Sequence, residues 1–302
     1  MSRHAYCIIA HKDLYTLNKL LELLDDARND IFLFIDKNWN LSMQSIYQPV
    51  DSQLITIPAH QRHKIYWGDV SLVEAELKLL ECAVNHSFYE HIHLISGQDL
   101  PLHSQDYIHD FFNNHKGINF IGFAQGESNY KLLHDRMSYH VLRTKYYRSQ
   151  NKHTAYLANF LRILVVGLQK RLKIKRSYPG IELKKGCEWV SITWSFANLL
   201  VGNKEKISRT FKTTFCGDEI YKQTIAWNSS FKNTLYITTD EYSGCLREID
   251  WDRGNPYTYR IEDLDNLLNS TKLIAGKFDS EIDKDIIVSI FNALKRKRTS
   301  NN

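Results

Sequence analysis

The chain has 302 residues, 43% of them hydrophobic and 24% charged, enough for a substantial core and unlike the composition of disordered segments. Its formal charge of +5 suits phosphate-bearing ligands, anionic membrane surfaces or nucleic acid, and separates none of them. The 5 cysteines lie far apart with no CxxC pair, which argues against a full disulfide framework and fits a reducing compartment.

Residues 6–10 form a short apolar run, the pattern of a buried strand. The stretch before and through it is too short and too soon interrupted for a signal peptide or membrane span, so the expected compartment is the cytoplasm. After a turn at 11–13, Leu14, Leu17, Leu20, Leu21 and Leu24 recur at helical spacing. Strands follow at 31–35, ending on Asp36, and at 54–57. A helix at 70–84 leads to a fourth strand at 91–95, which ends in Ser96-Gly97-Gln98-Asp99. This alternation predicts an α/β fold with a mostly parallel central sheet flanked by helices. Ligands in that class sit beyond the carboxyl ends of the strands, where His11, Asp36 and Gln98-Asp99 lie.

The middle is less regular. The pattern predicts a strand at 118–121 and a helix at 154–174 with Leu157, Phe160, Leu161, Leu164 and Leu168 on one side and a basic C-terminal end. Pro179-Gly180 breaks it. A strand at 189–194, helices at 197–202 and 219–227, a strand at 246–250 and helices at 262–269 and 280–295 complete the chain. No repeat, low-complexity block or linker interrupts it, so one continuous domain is expected over 1–302.

Asp36 either accepts hydrogen bonds from a nucleotide's base or ribose, or caps its own turn. His11-Lys12-Asp13 contains no glycine, which argues against a dinucleotide fingerprint or P-loop after the first strand. An Asp-x-Asp metal pair would belong at the end of the fourth strand, but Asp99 is the lone carboxylate there. Asp250-Trp251-Asp252 matches the letters too late in the chain, so no metal is expected.

The C-terminal third carries the most chemistry. Glu219, at the start of a predicted helix, is either a capping acid or a general base. Arg260 and Lys277 are either structural ion-pair partners or two cations, spaced by a short helix, that converge on one anion. A planar fork and a point charge suit a diphosphate, and a base with two fixed cations can expel one without a metal. Trp251 between them either stacks on a sugar face or packs in the core. The helix at 154–176 either packs in the core or rests on an anionic membrane. The basic clusters lack interleaved aromatics, so no nucleic-acid partner is expected.

Ala10-His11-Lys12-Asp13, Ile35-Asp36-Lys37, Tyr66-Trp67-Gly68, residues 71–76 and 96–102, Gly186-Cys187-Glu188-Trp189, Gly217-Asp218-Glu219, Ile249-Asp250-Trp251 and Lys277-Phe278-Asp279 occur in this order. Together they resemble the core-2/I-branching beta-1,6-N-acetylglucosaminyltransferase and peptide O-xylosyltransferase family, glycosyltransferase family 14. The resemblance implies a GT-A type nucleotide-sugar-binding fold that works without metal and inverts the anomeric centre. Its nucleotide-binding half would span about 1–125, its acceptor and catalytic half about 126–280, and a C-terminal helix with a basic tail 281–302. By position, Glu219 matches the catalytic base, and Arg260 and Lys277 match the cations that replace a metal. Asp36 matches the uracil-contacting acid and Ala10 the neighbouring backbone contact. Tyr66, Trp67, Gly68, Glu188 and Trp189 match donor-side segments, and Trp251 an acceptor-side aromatic. Cys187-Glu188 stands where family members usually carry Ser followed by Gln or Asp.

Neither the membrane anchor nor the disulfides of animal members is expected here, and the resemblance is to the bacterial branch. The implied activity moves a sugar, GlcNAc first, from a UDP-sugar to a glycan or lipid-linked glycan hydroxyl in surface polysaccharide biosynthesis. Peripheral contact at the inner face of the plasma membrane accompanies that reading. The alternative is a non-catalytic glycan- or anion-binding protein on the same fold.

Overall fold

A computed structural model describes residues 2–299; Met1 and residues 300–302, the end of the expected tail, lie outside them. The chain opens with β1 (His4–Ala10), α1 (Leu14–Leu24), β2 (Asn29–Ile35), β3 (Gln53–Thr56), α2 (Val70–His86) and β4 (His91–Ser96). Next come β5 (Asp99–Pro101), α3 (Gln105–Asn113), α4 (Glu127–Ser138), α5 (Lys152–Arg171), β6 (Ser191–Thr193), α6 (Trp194–Gly202) and α7 (Lys204–Phe211). It closes with α8 (Tyr221–Trp227), α9 (Glu241–Cys245), β7 (Arg247–Glu248), α10 (Leu264–Leu268), β8 (Ile274–Gly276) and α11 (Lys284–Thr299).

The main sheet runs β3-β2-β1-β4-β6, parallel except for β6, which pairs antiparallel with β4. Every residue of β1 and β2 is buried, as a parallel sheet covered on both faces requires. Side chains alternate between the two faces. Ala5, Cys7, Ile9, Phe32 and Phe34 join one core with α2 and α6. Tyr6, Ile8, Ala10, Ile31, Leu33 and Ile35 join the other with α1, α3 and α11. The Asp13 side chain starts α1 by accepting the Thr16 N–H at 3.1 Å and takes the Ser280 N–H at 2.8 Å, tying the entry to α11 onto the first helix.

A small sheet, β5-β8-β7, lies beside the main one. Arg247 on β7 joins the two. It is 1% exposed and donates to the Val190 and Cys245 carbonyls at 3.0 and 2.8 Å. Three short hydrogen-bonding fragments replace elements expected to be longer. The strand expected at 118–121 reduces to isolated bridges at Asn119 and Phe120, because the facing β6 is only three residues long. The helix expected at 219–227 begins as a 3-10 turn, Gly217–Glu219, before α8. The one at 262–269 likewise begins as a 3-10 turn, Ile261–Asp263, before α10.

The core reading of the helix at 154–174 is corrected. Its leucines face outward: Leu157, Phe160, Leu164 and Leu168 on α5 are exposed, and its buried residues are Ala158 and Gln169. The side toward the protein closes on a small cluster in which Ala158 and Val166 meet Val141 and Tyr147, too small to take in the apolar stripe.

His4, His91, His93 and His109 form a buried cluster between the sheet and α3. The His4 ring stacks on His109 with centroids 4.1 Å apart, and His91 Nε2 donates to the Ile118 carbonyl at 2.9 Å. Burial holds His91 and His109 down to about 4 from an ordinary 6.5, and holds His4 and His93 well below it. Arg28 adds repulsion at His4 and His109, Arg247 at His93, and Asp26 opposes it at His109. Nε2 of His4 and Nδ1 of His91 and His109 have no hydrogen-bond partner, so protonation there would bury an unpaired charge. Below pH 6.5 the unfolded chain takes up protons that the fold refuses until about pH 4. The contribution of these rings to stability is therefore full above 6.5 and falls as pH drops through that window, while Glu76 and Glu188, pushed up to about 7 by burial, and Asp99, pushed up to about 6, act in the opposite direction. The rings should show as a component of the urea midpoint that declines between pH 6.5 and 4, on the order of a few kcal/mol. His109→Gln should make the decline shallower; an unchanged slope would show that these rings do not set it.

Candidate active site

The carboxyl ends of β1, β2 and β4 open on a cavity of about 660 Å³. Parallel register sets them level: Asp36 donates its N–H to the Ala10 carbonyl at 2.8 Å, and Gly97 donates to Ile9 at 2.8 Å. His11, Asp36, Ser96 and Asp99 line this side. Asp36 Oδ1 also accepts the Asn38 N–H at 2.7 Å, so the carboxylate caps its turn and faces the cavity at once. Ala10 is fully buried and offers backbone only.

Opposite these strand ends stand Trp67, Arg148, Lys185, Glu188, Trp189, Glu219, Trp251 and Lys277. Trp67, 45% exposed, has the Arg148 guanidinium 3.4 Å from its ring centroid and Phe215 edge-on at 5.1 Å. Its neighbours are scaffold. Tyr66 donates its N–H to Ser71 Oγ at 3.0 Å. Gly68, at φ 70°, accepts the Cys216 N–H at 2.9 Å.

Glu219 sits in its 3-10 turn with Oε2 accepting from Arg136 Nη1 at 2.7 Å and Lys185 Nζ 3.9 Å away. Arg136 comes from α4, 83 residues earlier. Beside it, burial pushes Glu188 up to about 7 against the pull of Lys277, and Glu188 shares a hydrogen bond with Asp218. Burial also raises Asp218 well above the carboxylate range, reinforced by Glu188 and Glu219. This wall therefore changes its negative charge near neutral pH.

Lys277 follows β8. A Cβ on Gly276 would lie 2.2 Å from Asp99 Oδ1, so only glycine lets β8 reach this edge. His11 is exposed at the cavity mouth, and desolvation by its surroundings, with Lys277 and Lys12 adding repulsion, holds it down to about 4; it is neutral at pH 7 and leaves the charge to Lys277. Arg260 is exposed and heads the turn into α10, its N–H donating to Asp263 Oδ2 at 3.0 Å. The Tyr259 N–H donates to the Lys277 carbonyl at 2.9 Å, so Arg260 directly follows a residue bonded across to Lys277. Its side chain is absent from the cavity wall.

One cavity thus gathers Asp36, Trp67, Glu188, Trp189, Glu219, Trp251 and Lys277, and leaves Ala10, Tyr66, Gly68 and Arg260 outside its lining. Sequence reasoning missed Arg136, Arg148 and Lys185. Lys184-Lys185 directly precedes Gly186-Cys187-Glu188-Trp189 and was open to notice; Arg136 and Arg148 carry no local signal. Among the described residues no group of three or more His, Cys, Asp and Glu is placed to hold a metal. Asp250 is spent on its own loop, accepting from Asp252 and Arg253.

The wall that carries Glu188 and Glu219 rests on close backbone contact. Gly186 donates its N–H to the Glu219 carbonyl at 2.8 Å, and a Cβ on it would lie 1.9 Å from the Gly122 carbonyl oxygen. Gly186→Ala should cost about 1–3 kcal/mol by urea denaturation. A variant as stable as the parent would show that Gly186 and Gly122 are not in close contact.

Three comparisons bear on this arrangement. The chain is 21% identical to Xylosyltransferase sqv-6 of Caenorhabditis briggsae over 287 residues, which cover 85% of this chain. It spans 32% of that relative's length. It is similar to the crystal structure of S. aureus TarS 1-349 with a TM-score of 0.27 and 11% identity, over 58% of this chain and 50% of that one; a likeness so slight carries no argument. The family model described as Core-2/I-Branching enzyme matches residues 4–269, and the chain belongs to that family of glycosyltransferases.

Proposed function

We propose that this protein is an inverting, metal-independent transferase that moves a sugar, GlcNAc in the first instance, from a UDP-sugar to a glycan hydroxyl in surface polysaccharide biosynthesis. The observation that carries the reading is one cavity lined by both Glu219 and Lys277, at the strand ends where Asp36 also lies. Asp36 takes the nucleotide base. Trp67, Glu188 and Trp189 line the donor side, and Trp251, 51% exposed, offers a ring to the acceptor sugar.

In the reaction, the acceptor oxygen attacks the anomeric carbon from the face opposite UDP. The carbon–oxygen bond to UDP breaks, and its electron pair leaves with the diphosphate. The acceptor proton passes to Glu219. Arg136 and Lys185 both approach Oε2, so Oε1 is assigned the proton. Lys277 stabilises the departing charge. Arg260, tethered beside it by the Tyr259–Lys277 backbone bond, joins it when its side chain swings to the bound diphosphate. This rotation is part of the proposal.

Glu219→Gln should lower kcat by roughly 10²–10⁴-fold while UDP binding, read by the thermal shift it confers, changes by less than about twofold. Undiminished turnover removes the base assignment. Activity should also survive excess EDTA; a strict requirement for Mn²⁺ would overturn the metal-independent mechanism. A panel of UDP-sugars assayed for transfer to glycan acceptors identifies the donor.

A further inference from the structure

We propose that the outer face of α5 docks this protein on an anionic lipid bilayer. The helix is amphipathic in the reverse sense to a core helix. Toward the protein it presents Ala158 and Val166 to a small cluster with Val141 and Tyr147, and otherwise polar contacts: Gln169 Nε2 donates to the His140 carbonyl at 2.9 Å, Asn159 Nδ2 donates to the Tyr147 carbonyl at 3.2 Å, and the Arg162 guanidinium lies 5.1 Å from the Tyr147 ring. Outward it presents Tyr156, Leu157, Phe160, Ile163, Leu164 and Leu168, all exposed. Their three- and four-residue spacing makes one stripe about 18 Å long at 1.5 Å per residue. Leu172 and Ile174 continue it past the helix end, still exposed. A contiguous apolar surface of this kind marks an interaction site.

Charge identifies the occupant. Of the 39 Lys and Arg in the chain, 11 fall within residues 136–181, and none of the 34 Asp and Glu do. The other residues hold the remaining 28 cations against all 34 acids, so this segment is strongly positive on an otherwise acidic protein. A second copy of the chain would bring two such surfaces together and repel. Nucleic acid would supply the charge but gains little from a stripe in which Leu157, Ile163, Leu164 and Leu168 outnumber Tyr156 and Phe160, since bases stack on aromatic rings. A bilayer satisfies both features: the headgroup–acyl boundary takes the stripe, and anionic headgroups take the cations.

The ends of the helix fit that geometry. Lys152 stands at one end and Lys170, Arg171 and Lys173 at the other, all exposed, where long side chains reach back to headgroups. No helix among the described residues is long and apolar enough to cross a membrane, so α5 lies in the plane of the interface. A groove of about 490 Å³ beside it sets Arg143 and Lys145 over Leu157 and Leu161, a pairing suited to a lipid phosphate and the start of its chain. The same acid-free segment delivers Arg136 to Glu219 and Arg148 to Trp67. Docking would therefore bring the cavity to acceptors carried on the lipid surface. The docking itself stands independently of the transferase reading.

The test is sedimentation of the whole protein with vesicles of phosphatidylcholine, alone or mixed with phosphatidylglycerol. Binding to the mixed vesicles should exceed that to neutral ones by at least about tenfold and weaken with salt. Leu157→Ser/Phe160→Ser/Leu164→Ser should lose about tenfold or more with little change in melting temperature, because none of these side chains belongs to a buried core. Lys170→Glu/Arg171→Glu/Lys173→Glu should abolish the preference for phosphatidylglycerol. In a separate variant, Phe160→Trp, the emission of the introduced ring should shift to the blue only with mixed vesicles. Failure of the parent protein to sediment, or equal binding by the serine variant, overturns the proposal. So does a lipid-free dimer in light scattering that the serine variant dissolves, since the face would then belong to a second copy.

Discussion

The parallel pairing of β1 with β2 and β4 is the constraint on which the molecule depends. Ala10 pairs with Ile35 and Ile9 with Ser96, so three strands end at one level and their following residues are delivered to one edge. A one-residue slip would turn each strand's core set to the other face. It would break both cores at once, because Ala5, Cys7 and Ile9 belong to one and Tyr6, Ile8 and Ala10 to the other. The hydrophobic energy of two cores therefore enforces the register that gathers His11, Asp36 and Asp99.

Electrostatics at that edge is arranged in opposition. Glu188, Asp218 and Glu219 crowd one wall, where burial raises the first two, and Arg136, Lys185 and Lys277 face or flank them. The fold keeps the like charges together by leaving some of them protonated near neutral pH and by pairing Glu219 with Arg136. Cations and acids within one low-dielectric cavity act more strongly on a bound charge than they would in water. The proposed transfer would use both sides of this polarity, an acid to accept a proton and cations to take up departing negative charge.

The segment from α4 to α5 belongs to neither sheet. α4 buries Leu133 and Met137 in the main core, whereas α5 is held by a small cluster of Val141, Tyr147, Ala158 and Val166 and by polar bonds around it: Thr144 donates to the Asp69 carboxylate that caps α2, the Val141 N–H donates to the Thr213 carbonyl at 2.8 Å, and Arg176 Nη1 donates to Thr214 Oγ1 at 2.7 Å. That is enough to hold Arg136 and Arg148 at the cavity and too little to cover the apolar side of α5. A helix with its leucines outward is the expected product when a chain segment carries its own hydrophobic period but docks through a small apolar contact and hydrogen bonds.

The first hundred residues were legible almost element by element, because strands buried on both faces read as unbroken apolar runs and α1 and α2 as periodic ones. Asp36 and Glu219 could be singled out because they close or open an element, positions where a carboxylate needs a reason. The order of motifs along the chain also sufficed to indicate the family. Four matters were decided only by tertiary structure: that Arg136 meets Glu219 across 83 residues, that Arg148 covers Trp67, that Arg260 stands off the cavity, and that α5 turns its leucines to solvent. Helical periodicity says that a face is apolar, not what covers it, and a lone arginine has no period at all. Local pattern records the energy a residue gains from its neighbours in the chain, whereas long-range ion pairs and exposure depend on which surfaces meet after the chain has folded.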